Sequence, residues 1–127
     1  VKKLFLMLLS LLLIFGLTGC FDTKDPMPAT VCGDVQVESY GTKLSMSSVT
    51  VKVYNDENTY YPEVKFEDEE QTKAAYEGKV DKKGTYDVKV TVTPAYSTSS
   101  YYNVSENAFV IEDGSYYFED FYLELNI

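Results

Sequence analysis

With 127 residues and a formal net charge of −9, the chain has room for one small domain. It contains no His, no Trp and no Arg, and its 11 basic residues are all lysines. Nucleophile pairs that depend on His are therefore excluded, and an acidic surface argues against nucleic acid and anionic lipid head groups as partners.

Lys2 and Lys3 precede an apolar run from Leu4 to Leu17 that only Ser10 and Gly16 interrupt. A basic start, an apolar core too short for a comfortable membrane span and small residues at the end predict a cleaved helical signal peptide over residues 1–19. The run ends Leu17-Thr18-Gly19-Cys20, which resembles the lipobox of bacterial lipoproteins. That resemblance implies cleavage before Cys20, a diacylglyceryl thioether on its sulfur and an acylated amino terminus. Two or three acyl chains, at about 0.8 kcal/mol per buried CH2, make a lasting anchor where one chain does not. The implied location is a bacterial membrane, with the domain outside the cytoplasm in the periplasm or at the cell surface.

Residues 20–30 read as the lipidated cysteine and a flexible tether, with Asp22, Lys24, Asp25, Pro26 and Pro28 and little to bury. Ten such residues reach about 33–36 Å when extended. Lipidation of Cys20 would leave Cys32 without an intrachain partner, and nearby acids favour its inert thiol form. Beyond the signal, 9 lysines face 20 acids, a side-chain charge of −11.

The domain is expected over residues 31–127. Val31 to Glu38 alternates, with Val35 and Val37 inward and Cys32 outward by parity. A connection over residues 40–47 leads to the strand Ser48–Tyr54, with Val49, Val51 and Val53 inward. After a turn at residues 55–58, Tyr61 to Phe66 forms a short strand whose Pro62 assigns it to an edge or a strand start. The acidic stretch Glu67-Asp68-Glu69-Glu70 lacks the alternating spacing and sharp-turn glycine of a calcium loop, so no metal site is expected.

Thr72 to Val80 is expected to pair as a hairpin, across residues 81–84, with the clearest strand in the chain. In that strand, Gly84 to Thr93, the residues Tyr86, Val88, Val90 and Val92 point one way and Asp87, Lys89, Thr91 and Thr93 the other. Such a half-buried strand needs a second layer, which predicts an all-β sandwich. Pro94 stops it. Residues 95–103, rich in Ser, Thr and Tyr without a definable core face, read as a functional loop, and Tyr96, Tyr101 and Tyr102 are its candidate binding residues. A hairpin about Asp113-Gly114 should join Ala108–Glu112 to Ser115–Leu125. In its last strand the alternation slips by one residue, and a bulge at Glu119-Asp120 would gather Tyr116, Phe118, Phe121, Leu123 and Leu125 on one core face.

Gly33-Asp34-Val35-Gln36-Val37, Leu44, Val49-Thr50-Val51, Gly78, Gly84-Thr85-Tyr86-Asp87-Val88-Lys89-Val90 and Pro94-Ala95-Tyr96 follow one another in an order that resembles carboxypeptidase regulatory-like and transthyretin-like domains. The resemblance implies a single Ig-like sandwich of seven or eight strands in Greek-key order. The D-x-D/N-G loop of that family is missing, and the lysine that isopeptide-forming relatives carry on the first strand is absent.

No catalytic constellation emerges: there is no His and no G-x-S-x-G elbow. The chain is therefore expected to be no enzyme and to need no cofactor. Its 12 tyrosines include doublets at Tyr60-Tyr61, Tyr101-Tyr102 and Tyr116-Tyr117, and in a strand one ring of each must face outward. Outward tyrosines suit contact with a protein or a sugar. The expected function is a noncatalytic protein-interaction module anchored by lipid, with a carbohydrate-binding module as the alternative.

Overall fold

A computed structural model describes residues 25–126, and the expected signal peptide and Cys20 lie outside the described residues. The elements are β1 (Ala29–Ser39), β2 (Thr42–Lys43), β3 (Met46–Tyr54), β4 (Thr59–Tyr60), β5 (Glu63–Phe66), β6 (Lys73–Val80), β7 (Gly84–Pro94), β8 (Tyr101–Ile111), β9 (Tyr116–Phe118) and β10 (Phe121–Glu124). Two are two-residue pairings, and β9 and β10 lie on one path, which leaves seven principal strands. The protein is an all-β sandwich.

Sheet I runs from β9 and β10 through β1 and β6 to β5, with β2 added on β1; sheet II has the order β4, β3, β7, β8. The inner face of β7 is Tyr86, Val88, Val90 and Val92, all 0% exposed, as its alternation requires. Val35 and Val37 of β1 and Val51 and Val53 of β3 meet the same core, each worth about 1.5–3 kcal/mol by burial. Val49 and Val64 pack against it partly. β1 starts at Ala29, two residues before its expected start, because Ala29 is buried and pairs with Val80. β3 likewise starts at the buried Met46, inside the expected connection. β5 does lie at a sheet edge, directly after Pro62.

Neither expected hairpin forms. β6 belongs to sheet I and β7 to sheet II, so residues 81–83 form a corner between layers, which the Tyr86 hydroxyl ties down by donating to Lys82 O at 2.7 Å. Asp113-Gly114 is a second such corner. Its glycine packs against the start of the domain: Gly114 N donates to Asp25 O at 2.8 Å, and a β-carbon there would stand 1.8 Å from Pro26 O. The chain leaving β8 is thereby delivered beside β1, and β9 and β10 pair with β1 in parallel. Turn chemistry identifies a reversal; packing against Pro26 decides which sheet receives the next strand.

The last strand is interrupted at Glu119-Asp120, but its core face is not the expected one. Pairing runs Tyr116 with Thr30 through Glu124 with Glu38 in one register, so odd positions face inward on both sides of the break. Tyr117, Phe121, Leu123 and Leu125 join the core, whereas Tyr116 and Phe118 are exposed. No residue is inserted. Instead Glu119 turns its carbonyl inward to accept from the Tyr76 hydroxyl at 2.6 Å, and Asp34 N takes Asp120 Oδ1 at 2.9 Å in its place. The expected loop after Pro94 is also shorter, since Tyr101 to Asn103 already belong to β8.

Candidate functional site

Each tyrosine doublet packs one ring on the core and exposes the other. Tyr60 packs on the core, edge-on to Tyr86 at 5.9 Å, while Tyr61 is exposed. Tyr101 packs partly on the core and Tyr102 is exposed; Tyr117 turns in and Tyr116 out. The outward rings do not scatter evenly. Tyr116, Phe118 and Tyr122 stand on the outer face of β9 and β10, 59%, 71% and 67% exposed, along the margin of sheet I. Tyr116 and Phe118 lie 6.2 Å apart with planes inclined by only 25°, and Lys79 Nζ stands 5.9 Å from the Tyr116 ring.

Phe118 opens onto a depression of 640 Å3 in that face, lined also by Cys32, Asp34, Lys65, Glu77 and Asp120. The registers explain it. Phe118 pairs with Cys32, Cys32 with Glu77 and Glu77 with Glu63, one transverse row across four strands, and the neighbouring row has only the small Ala75 between Asp34 and Lys65. Burial pushes the Cys32 thiol up, and the charges of Glu77, Asp120 and Asp34 push it further. The thiol is held in its protonated form, unsuited to nucleophilic attack. Lys73 sits at 3.7 Å from Asp34 and 3.5 Å from Glu67, which hold its ammonium above the usual range.

The expected binding residues Tyr96, Tyr101 and Tyr102 are distributed over different surfaces. Tyr96 is fully exposed at a positive φ of 64° and borders a second depression of 450 Å3 with Ser45, Ser47, Glu70 and Gln71. Tyr101 faces the core, and Tyr102 lies on the outer face of sheet II under Lys89 Nζ at 4.4 Å. The rings of β9 and β10 were legible in part: counting back from Leu125 already selects Tyr117 for the core, which would have released Tyr116 and Phe118 to the surface.

Asp68 of the acidic loop is engaged by its own neighbours. Asp68 accepts from the hydroxyl and backbone N–H of Thr72 and from Lys73 N at 3.2 Å, and the Thr72 hydrogen bond is foremost in holding its carboxyl below the usual range. Among the described residues no group of three or more His, Cys, Asp or Glu side chains is arranged to hold a metal ion. No helix among them is long and apolar enough to cross a membrane. No protein-family model and no curated protein matches the chain.

Proposed function

We propose that this chain is a noncatalytic, lipid-anchored module of a bacterial envelope or cell surface, and that it binds a protein partner through the aromatic margin of sheet I. The observation that carries the reading is the exposure of Tyr116, Phe118 and Tyr122 on one face of an edge strand. Rings fixed by two torsions lose little entropy on contact, and a monomer has no folding reason to keep such a row in water. The anchor rests on the lipobox-like Leu17-Thr18-Gly19-Cys20. Kinship to carboxypeptidase regulatory-like domains rests on the order of motifs, whose G-x-Y-x-V-x-V strand, Gly84–Val90, lies in the middle of sheet II.

One observation favours carbohydrate as a second reading: two nearly parallel rings, Tyr116 and Phe118, on a single face. A photo-crosslinking residue at position 122, compared with one at the exposed Thr50 of sheet II, separates the two in the native envelope. A discrete protein adduct from position 122 alone, lost on Tyr116→Ala with Phe118→Ala, is the expected result. Retention by envelope polysaccharide that the same changes abolish would establish the carbohydrate reading; neither behaviour at position 122 would overturn both.

A further inference from the structure

We propose that the partner contributes an extended basic segment, which adds as a further strand to the open edge of β9 and β10 and lays an Arg or Lys side chain across Phe118 toward Asp120. This rests on the reading above that the partner is a protein.

The backbone supplies the first argument. Ser115 O accepts from Thr30 N, Glu119 N donates to Cys32 O and Leu125 N donates to Glu38 O, so odd positions bond to β1. In a parallel ladder the alternate residues then turn their N–H and C=O groups the other way. Those residues are Tyr116, Phe118, Tyr122 and Glu124, and among the described residues no strand lies on the side away from β1. The register is the same on both sides of the break at Glu119-Asp120, whereas the β8 edge shifts register where Asp87 faces the stretch between Ser105 and Phe109, and β5 has four residues. An incoming strand would stand about 4.8 Å away and place alternate side chains beside the exposed rings.

Charge supplies the second argument and selects the occupant. Asp120 lies two residues along from Phe118, with Asp34 behind it, and Glu63 and Glu77 face each other directly across β5 and β6. Like charges so paired cost stability, and Lys65 offsets them only weakly, at 3.9 Å from Glu63 with both side chains largely exposed. No ion pair among the described residues engages Glu77 or Asp120. A cation over the Phe118 ring gains the ring's electrostatic attraction and the field of these carboxylates together. A second copy of this chain, with its own large excess of acid, would be repelled.

The test uses the folded chain and a fluorescent octapeptide of alternating Arg and Thr, read by anisotropy, with a Glu-for-Arg peptide and a peptide N-methylated at alternate residues beside it. The Arg peptide should bind and both controls should fail. Phe118→Ala with Asp120→Asn should weaken binding by about tenfold, as the sum of a cation–π contact and an exposed ion pair. Glu106→Gln, which removes a charge on the far sheet, should change it by less than twofold. Asp120→Asn keeps the Oδ1 acceptor for Asp34 N, and an unchanged melting temperature verifies the fold. Absence of binding, equal effects of the two charge removals, or binding of the N-methylated peptide would overturn the proposal. So would concentration-dependent pairing of the chain through this edge. If the position 122 adduct persists while the Arg peptide neither binds nor competes, the protein-partner reading stands and this inference falls.

Discussion

The carbonyl oxygen of Glu119 lies 1.8 Å from where a β-carbon on Gly33 would stand, so the two residues share one place on the inner face of sheet I. Gly33 is an odd, inward position of β1, and its missing side chain makes room for the inward-turned carbonyl that Tyr76 caps at 2.6 Å. Gly33→Ala therefore displaces backbone rather than a flexible side chain. We expect a loss of about 3 kcal/mol, at the upper end of overpacking costs, in urea unfolding. A change below about 0.5 kcal/mol, the range of ordinary surface substitutions, would show that this contact is not a constraint.

Tyr76 is buried, and burial raises its hydroxyl pKa far above the ordinary range; Tyr60, donating to Asp81 at 2.6 Å, is raised too, by burial first and by that hydrogen bond second. A folded pKa above the unfolded value means that the fold favours the protonated phenol. The contribution is complete below the unfolded pKa of about 10 and is lost as pH rises beyond it. Thermal unfolding should be flat from neutral pH to about pH 9 and should drop above pH 10. Tyr76→Phe should lower stability by about 1 kcal/mol at neutral pH through the lost hydrogen bond, yet flatten the alkaline drop. An alkaline limb equally steep in the variant would assign the effect to other groups.

The tyrosines proposed from sequence separate by the face they occupy. Tyr101→Ala removes a ring packed on the core and should lower the melting temperature by several degrees, while Tyr96→Ala and Tyr102→Ala, on exposed rings, should each shift it by less than about 2 °C. If the loop is a contact surface, Tyr96→Ala with Tyr102→Ala should reduce partner capture without that thermal cost. Capture unaffected by this pair, but lost with Tyr116→Ala and Phe118→Ala, would leave sheet I as the binding surface.

Cys20→Ala should release the protein from membranes into the soluble fraction, since the proposed anchor is lipid carried by that one residue. A variant that sediments with membranes after a high-salt wash would require another attachment.

Sequence alone determined the inward faces of the clearest strands. Strict alternation in β7 and β1 fixed which residues enter the core, because a strand buried on one face must place every second side chain there. It also determined that each tyrosine doublet exposes one ring. What only the tertiary structure decided was partnership: Gly114 seated against Pro26 sends the chain across to β1 rather than back along β8, a contact between residues 88 positions apart. The same holds for the face of the last strand. Tyr116 and Tyr117 have identical side chains, so local pattern assigns either one to the core; pairing of Tyr117 with the inward Val31, and the shared space of Gly33 and Glu119, resolve the choice and put Tyr116 and Phe118 in water. Periodicity is a property of neighbouring residues and can be read along a chain, whereas register across sheets depends on shapes that meet only once the chain has folded.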